Sequence, residues 1–304
     1  MKNTIRVHFP ILAVLLVSAA GIAFAAEGGV SVYPAGVETI LPGMMPGAGE
    51  TMLLQFNNFY QTNMVVDGAG HSEVPGFHLR VAAFAVKAVH NWGVHFLGGE
   101  LVSSAGVPLL YEHLNAPFGN AAKAGIGNID VSVLDVAYEK GPWHWWYGYD
   151  VYTPGLQYNK GDLLNIGQHY WAGAPSGAVT FLPRHGKNEF SSKFQYIVNR
   201  KDSATQYRSG DEFVWEYAAM EKVAKGLMVG FNGYFDRQTT GDTLNAVPVP
   251  GGQQMRVVGM GPEFRYHMGH LAMILKYQKE FLAQNRTSGN SLWLQFGVPL
   301  GHHE

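Results

Sequence analysis

Three successive segments between Asn188 and Gln238 alternate apolar and polar side chains with a period of two. Because side chains on a β-strand point alternately to opposite faces, each segment predicts a strand with one aromatic-rich face and one mainly polar face. A polar loop at 202–210 and a tight turn at Lys225-Gly226 separate the segments. Each segment is roughly twice as long as an average strand of a globular protein. A tilted strand takes about 9–11 residues to cross a bilayer, so each segment is long enough to do so.

Further segments of the chain predict strands of the same kind. Together with the first three they give about twelve strands, with a range of about 10 to 14. This even number of long strands predicts an all-β fold, a transmembrane antiparallel up-and-down β-barrel. The remaining strands are predicted at Met52–Thr62, Phe77–His90, Gly93–Ser103, Asn128–Glu139, Trp143–Val151, Ser176–Pro183, Gln254–His267, His270–Gln284 and Ser291–Leu300.

The connections are less regular than the strands. Alternation is poor over residues 52–110, so the register there stays open, although a hairpin turn is predicted at Asn91-Trp92. The Pro- and Gly-containing stretch Gly106–Gly125 predicts a long loop, and a slip of phase predicts a β-bulge near Val133. Long loops of outer-membrane barrels lie outside the cell and short turns face the periplasm. Other connections are predicted at Gly141-Pro142, Pro154–Ala174, Arg184–Lys187, Gly241–Gly252 and Met268-Gly269.

The N-terminus has the pattern of a cleavable export signal. Lys2 and Arg6 precede an apolar run at Ile11–Ala20, and Ala23-Phe24-Ala25 offers small residues for a signal peptidase. The apolar run is too short for a transmembrane helix, which takes about 20 residues. We therefore predict a signal peptide at 1–25, cleavage near Ala25, and a mature protein in the outer membrane of a Gram-negative bacterium.

Residues 26–50 form a Gly/Pro-rich segment that precedes the barrel at 51–304. Such a segment does not form a regular ladder, and irregular backbone at membrane depth is tolerated only inside protein or along a water-filled cavity. Two placements are open, a periplasmic tail and a plug folded into the barrel mouth. The apolar residues Val37, Ile40, Leu41 and Met44 need cover, which favours the plug.

Composition agrees with a membrane barrel. Charged residues are 14% of the chain, against about 25% in soluble domains, while aromatic residues are 13% and glycines number 38. The chain has no cysteine, so disulfides and thiolate metal sites are excluded. Its net charge is −2 and it has no basic cluster, so nothing suggests nucleic acid as a partner.

The polar faces of the best strands supply the candidate functional residues, which are predicted to line the lumen. One interpretation is structural: acids and bases neutralise one another and fill a narrow barrel. The functional interpretation is a narrow conduit whose lining, with the N-terminal segment, selects the solute. The predicted lumen-lining residues are Glu189, Lys193, Gln195, Glu212, Glu216, Asn232, Asp236, Gln238, Lys276, Gln278 and Glu280.

The opposite faces carry aromatic residues, which predict an interfacial aromatic girdle facing lipid. The alternative is an aromatic core between the layers of a soluble β-sandwich. The predicted lipid-facing residues are Trp143, Trp145, Tyr147, Tyr149, Phe213, Trp215, Tyr217, Phe231 and Phe235.

Catalytic and metal chemistry find little support. No HExxH, P-loop or GxSxG motif is present, and of the 13 histidines His302-His303 is interpreted as a solvated tail. A barrel enzyme would need a Ser-His arrangement on the barrel wall, but His144 and Ser192 are predicted on opposite faces. No catalytic residue, cofactor or metal ligand is therefore assigned.

Several short patterns, in their order and spacing, resemble the outer-membrane β-barrel family named for the MetA pathway of phenol degradation, whose members are described as transporters. The resemblance covers most of the mature chain and is strongest between Asn199 and Asp242. The residues that carry it are Glu27-Gly28-Gly29, Tyr33-Pro34, Gly36, Gly43, Pro46, Asn199, Thr205, Tyr207, Ser209-Gly210-Asp211-Glu212-Phe213, Gly230, Gly233-Tyr234, Gln238, Asp242, Leu292-Trp293-Leu294 and Pro299-Leu300.

This resemblance implies an outer-membrane barrel associated with the catabolism or uptake of aromatic and other hydrophobic compounds, and it brings no catalytic residue. One departure is the C-terminus, which continues past Leu300 to Glu304, whereas many outer-membrane barrels end on an aromatic residue. We expect a monomer in outer-membrane lipid that passes small hydrophobic or aromatic solutes passively. The competing functional class is a non-transport structural or adhesive barrel, and a barrel enzyme is a third.

Overall fold

The computed structural model describes residues 29–300, so the predicted signal peptide and the His302-His303 tail lie outside the described residues. Its main feature is a ring of twelve long antiparallel strands, each paired with the strands before and after it in the chain. No helix in residues 29–300 is long and apolar enough to cross a membrane. The strands are β1 (Thr51–Thr62), β2 (His78–Phe96), β3 (Gly99–Ala116), β4 (Asp130–Lys140), β5 (Trp143–Tyr152), β6 (Ala172–Phe181), β7 (Asn188–Asn199), β8 (Glu212–Ala224), β9 (Leu227–Gln238), β10 (Arg256–Met268), β11 (Leu271–Gln284) and β12 (Asn290–Leu300).

The ring closes between its first and last strands. β1 pairs with β12 from Thr51, opposite Leu300, to Gln61, opposite Asn290, and its other edge pairs with β2. Closure removes the free sheet edges whose unpaired N–H and C=O groups would be costly in hydrocarbon. The predicted twelve-stranded antiparallel barrel is confirmed.

The two ends of the barrel differ. One end carries the long connections at 63–77, 117–129, 153–171, 200–211 and 239–255 together with the shorter 285–289. The other end carries short turns at 97–98, 141–142, 182–187, 225–226 and 269–270, and there β1 begins and β12 ends. We call these the long-loop end and the short-turn end.

Burial along the strands is the reverse of that in a soluble sheet. In β7 the polar residues Glu189, Lys193 and Gln195 are buried, whereas Phe190 and Phe194 on the other face are 53% and 43% exposed. A lipid-facing barrel produces this inverted pattern because its outer face meets hydrocarbon and its inner face is enclosed. The alternative of a sandwich with an aromatic core is therefore wrong.

The predicted hairpin turn at Asn91-Trp92 is wrong. β2 continues to Phe96 and turns at Leu97-Gly98, where both residues have positive φ, 49° and 83°, as the two central residues of a type I′ hairpin require. The register between β2 and β3 shifts between Asn91 and His95. This irregularity interrupts the alternation near Asn91, and Leu-Gly is a weak turn signal, which explains the error.

The predicted loop at Gly106–Gly125 is also wrong, because β3 runs to Ala116 and forms a hairpin with a strand at Gly119–Ile126. Pro108 is tolerated because it lies where the partner of β3 changes from β4 to this extra strand. The Pro108 carbonyl accepts the Gly127 N–H at 3.0 Å, so it points away from β2. In an antiparallel strand the N–H and C=O of one residue point to the same side, so the N–H that proline lacks is not needed by β2, and the ladder to β2 is intact.

Smaller differences concern strand ends. β6 begins at Ala172 instead of Ser176, and the turn after β10 is Gly269-His270 instead of Met268-Gly269. The predicted β-bulge near Val133 is confirmed, because the register between β4 and β5 shifts between Ser132 and Val136.

The connections 200–211 and 239–255 fold together at the long-loop end. Tyr207–Arg208 pairs with Thr243–Leu244, which pairs in turn with Val247–Pro248. The Asp242 carboxylate fixes this arrangement: it accepts the Gly210 N–H at 2.8 Å and also accepts from the Tyr207 hydroxyl and the Gln238 amide.

Substitution Asp242→Ala should loosen these two connections without opening the barrel. It leaves the buried Gly210 N–H without its acceptor, which costs about 1–3 kcal/mol, so trypsin cleavage after Lys201 or Arg208 should become roughly tenfold faster. The control is Asp162→Ala, which removes an ion pair with Lys123 in the β5–β6 connection at the same end. Equal cleavage rates in wild type and Asp242→Ala would contradict this role.

Candidate functional site

The N-terminal segment, here residues 29–50, passes through the barrel from the long-loop end to the short-turn end. At its start, a Cβ on Gly29 would lie 3.0 Å from the Cα of Arg286, which follows β11. Further along, the Gly43 N–H donates to the Thr180 hydroxyl at 3.0 Å, and the Gly49 N–H donates to the Asn91 carbonyl at 2.9 Å. The segment thus runs inside the ring of strands and becomes exposed at Gly47–Gly49, near the short-turn end.

Inward-facing polar side chains satisfy the irregular backbone of this segment. The Lys276 ammonium donates to the carbonyls of Gly36 at 2.6 Å and Val37 at 2.9 Å. The Glu216 carboxylate accepts the Gly36 N–H at 2.5 Å and the Tyr33 hydroxyl at 2.9 Å. Backbone without regular structure needs such partners when water is excluded. We call the inward-facing polar side chains of β7 to β11, with Arg286, the polar wall, and this wall and the segment depend on each other.

Glu38 joins the segment to two strands by charge. Its carboxylate pairs with Lys87 of β2 at 2.8 Å and with Lys193 of β7, and Lys87 also pairs with Asp130 of β4 at 3.0 Å. The two lysines supply the counter-charge that a carboxylate needs when it is enclosed in the barrel. Removing one member of such a buried group leaves an uncompensated charge.

Two further ion pairs lie on the polar wall. The Arg265 guanidinium is 2.5 Å from the Glu189 carboxylate, and Arg286 pairs with Glu280 at 3.1 Å and with Asp236 at 3.4 Å. Some acids and bases inside the barrel thus neutralise one another, but other buried acids, such as Asp150, Glu212 and Glu263, have no ion-pair partner among residues 29–300.

All eleven residues predicted to line the lumen are buried, at 6% exposure or less. Some contact the N-terminal segment and the others contact neighbouring strands or loop residues. Glu189, Lys193, Glu216, Lys276 and Gln278 contact the segment. Gln195, Glu212, Asn232, Asp236, Gln238 and Glu280 bond to Asp150, Asn199, Gln278, Arg286, Asp242 and Tyr60, respectively.

The nine aromatic residues predicted to face lipid are all exposed or half-buried. Those that are exposed are Trp143, Tyr147, Tyr149, Trp215 and Phe231, and those that are half-buried are Trp145, Phe213, Tyr217 and Phe235. Trp146, between two of them, is instead buried and donates its indole N–H to the Pro42 carbonyl at 2.5 Å. This contact could not be predicted from the alternation of residues, because aromatic residues occur on both faces of β5.

The structure does not bring His144 and Ser192 together. His144 shares a row with Thr180 and Ser191, so Ser192 is on the next row and the other face. Ser192 accepts the indole N–H of Trp215 at 2.7 Å. Within residues 29–300 no group of three or more His, Asp or Glu side chains is arranged to hold a metal ion.

A cavity of about 290 Å³ separates the N-terminal segment from the opposite side of the barrel. We call this side the apolar wall. Its residues lie side by side: Phe56 is opposite Ala85 and Ala85 opposite Pro108, while Ala83 is opposite Leu110. The space exists because small side chains project inward here, where the polar wall carries Lys, Glu and Gln. The apolar wall comprises Phe56, Val81, Ala83, Ala85, Pro108 and Leu110.

The two ends of the cavity carry polar groups. At the short-turn side, Lys87 is opposite Gly106 and belongs to the ion cluster with Glu38 and Asp130. At the long-loop side, Glu112 is opposite Val81. Glu112 is six positions after Gly106 in β3, and a rise of about 3.4 Å per residue places the two ends of the cavity roughly 20 Å apart.

None of the apolar-wall residues was singled out from the sequence. Around Val81–Ala85 both faces of β2 are apolar, so the alternation that identifies a one-sided strand is lost. The lost alternation is itself a usable signal, because a lipid-facing strand whose inner face is also apolar reads as a continuous apolar run.

The fold and this arrangement define a barrel of the outer-membrane type with a chain segment inside it. Residues 62–296 match the model of the family described as "Putative MetA-pathway of phenol degradation", and the chain belongs to that family. The resemblance inferred from the short patterns is confirmed. Among curated protein sequences none matches this chain significantly.

Solved structures share the fold. An outer-membrane channel from Pseudomonas putida F1, of the group COG4313, superposes with a TM-score of 0.70 at 12% identity and covers 84% of this chain and 97% of its own. The β domain of the Bordetella autotransporter BrkA is also 12% identical and covers 84% of this chain and 100% of its own, but its TM-score is 0.47. At 12% identity the likeness to the Pseudomonas putida channel shows a common fold.

Substitution Glu38→Gln should loosen the N-terminal segment, because Lys193 and Lys87 would lose their shared counter-charge. The chain has no cysteine, so Val37→Cys gives a single thiol at a buried site whose backbone contacts remain. Labelling of this thiol by a water-soluble maleimide should become at least about tenfold faster when Glu38→Gln is added.

The control for this experiment is Glu139→Gln, which removes an exposed carboxylate at the short-turn end and should leave the labelling rate unchanged. Equal rates with and without Glu38→Gln would show that hydrogen bonds alone hold the segment.

Proposed function

We propose that this protein is a passive channel for small hydrophobic or aromatic compounds in the outer membrane of a Gram-negative bacterium, and that it acts as a monomer. The observation that supports this most directly is the apolar cavity beside the N-terminal segment. The cavity lies inside a closed barrel and follows the barrel strands, so a solute within it is shielded from lipid. The description of the family, which refers to phenol degradation, agrees with an aromatic solute.

The size of the cavity supports a solute of one or two rings. An apolar cavity of about 150 Å³ holds benzene, and the cavity here is about 290 Å³. Sites for small molecules are concave and mostly apolar with few polar groups, which describes the apolar wall and its two polar ends.

The polar wall has a different part in this proposal. Its lumen-lining residues hold the N-terminal segment as a plug, and the aromatic residues on the outer face anchor the barrel in lipid. The exported, mature protein would begin near Ala26, and its long loops would face outward, as in outer-membrane barrels.

Substitution Ala83→Phe should block the path, because a phenyl ring at this position projects into the cavity between Asn58 and Leu110. The matched control is Ala82→Phe, one residue away on the outer face, where its neighbours Phe59 and Tyr111 are exposed. Flux of a one-ring solute should fall roughly tenfold in Ala83→Phe and stay at the wild-type value in Ala82→Phe.

The measurement needs a membrane that hydrophobic solutes do not cross unaided. Vesicles with lipopolysaccharide in the outer leaflet serve this purpose, with an enclosed dye that reports arrival of the solute. Flux through wild type no greater than through empty vesicles would favour the alternative, a non-transport structural or adhesive barrel. Wild-type flux in Ala83→Phe would place the path elsewhere.

A further inference from the structure

We infer that Glu112 is a specificity-determining residue of the cavity and that it receives the positively charged or hydrogen-bond-donating end of an otherwise apolar solute. This inference rests on the proposed function and names the chemical class of its solute. Glu112 would make the polar contact with a solute that otherwise touches the apolar wall.

Glu112 projects into the cavity from β3, and no hydrogen-bond or ion-pair partner among residues 29–300 satisfies its carboxylate. Along its own strand and across to β2, its inward neighbours are Leu110, Leu114 and Val81. A carboxylate among apolar side chains is poorly solvated, so a donor that arrives with a solute gains a strong interaction there.

The nearby charged and titratable groups are already engaged elsewhere. Lys123 is directly opposite Glu112 in the Gly119–Ile126 strand, but its ammonium bonds to Asp162 at 2.7 Å and Asn165 at 3.0 Å. The Tyr60 hydroxyl, on β1, donates to Glu280 at 2.9 Å. Neither neighbour therefore occupies the Glu112 carboxylate.

The other carboxylates that line the cavity differ from Glu112 in having cations. Glu38 and Asp130 pair with Lys87, and Asp236 and Glu280 pair with Arg286. Among the cavity-lining acids of residues 29–300, Glu112 is the one that has no ion-pair partner.

The geometry selects the shape of the solute. Glu112 lies at the long-loop side of the cavity, and Ala83, Ala85 and Pro108 lie between it and the ion cluster at the other side. A solute that binds here has one donor group at one end and an apolar body of about one ring. An anionic end would meet an unscreened carboxylate and be rejected.

Binding to purified full-length protein in detergent, measured by isothermal titration calorimetry, tests this inference with four one-ring probes. These are benzylamine, benzyl alcohol, toluene and benzenesulfonate. Wild type should bind benzylamine most tightly and benzenesulfonate least. Glu112→Gln should weaken benzylamine binding by roughly tenfold or more, since a hydrogen bond between charged groups is replaced by a neutral one, and should leave toluene binding unchanged.

The control variant is Glu73→Gln, which removes an exposed carboxylate from the β1–β2 connection at the same end and should change none of the four affinities. Circular dichroism of each variant verifies that the barrel is folded. Recovery of benzylamine affinity in Glu112→Asp would support recognition by charge.

The outcomes separate this inference from the proposed function. Unchanged benzylamine affinity in Glu112→Gln, with toluene still bound, would overturn the role of Glu112 and leave the apolar path in place. Equal binding of benzylamine and benzenesulfonate by wild type would overturn it as well. Binding of no probe by wild type would count against both proposals.

Discussion

The structure depends on one constraint: an irregular chain segment enclosed in a barrel must find partners for its backbone N–H and C=O groups. The twelve-stranded ring has already paired most of its own backbone, so inward-facing side chains supply most of these partners. Lys276 and Glu216 meet this need at Gly36, and Glu189 accepts the Leu41 N–H at 3.0 Å. Burying these charges is tolerable because counter-charges and hydrogen bonds surround them. Five of the eleven lumen-lining residues are therefore committed to holding the segment.

The contrast between strands with a polar inner face and strands with an apolar inner face also explains how much of the structure the sequence predicts. Where the inner face is polar, alternation is strict, and β7, β8 and β9 were predicted nearly to the residue. Where it is apolar, as in β2 and β3, the alternation fails, and both the hairpin turn and the extent of β3 were mispredicted. The apolar wall was missed for the same reason. The partners of Glu38 could not be predicted either, because Lys87 and Lys193 lie on strands that are distant in sequence and meet only when the ring closes.

The part of the chain that most resembles the family, Asn199 to Asp242, has a structural explanation. The Asn199 amide donates to Gly210 and Glu212 at 2.8 Å each, and Asp242 gathers donors from Gly210, Tyr207 and Gln238. A Cβ on Gly210 would lie 1.9 Å from the Thr240 carbonyl, so only glycine fits there. These short patterns describe how two connections fold onto the rim, and the absence of catalytic chemistry in them is consistent with that role.

Energetics indicate which side of the segment a solute would follow. Passage along the polar wall would separate Lys276, Glu216 and Gln278 from the segment, and each buried polar group left unpaired costs about 1–3 kcal/mol. Passage along the apolar wall breaks no hydrogen bond until the ion cluster of Glu38, Lys87 and Asp130, which closes the short-turn side of the cavity. The bond between Glu38 and Lys87 is the first polar contact that a solute would meet on leaving the cavity toward that end, and the bonds of Asn91 to Pro46 and Gly49 lie beyond it. In the proposed channel this ion pair is therefore the first barrier that a solute in the cavity meets on the way to the short-turn end.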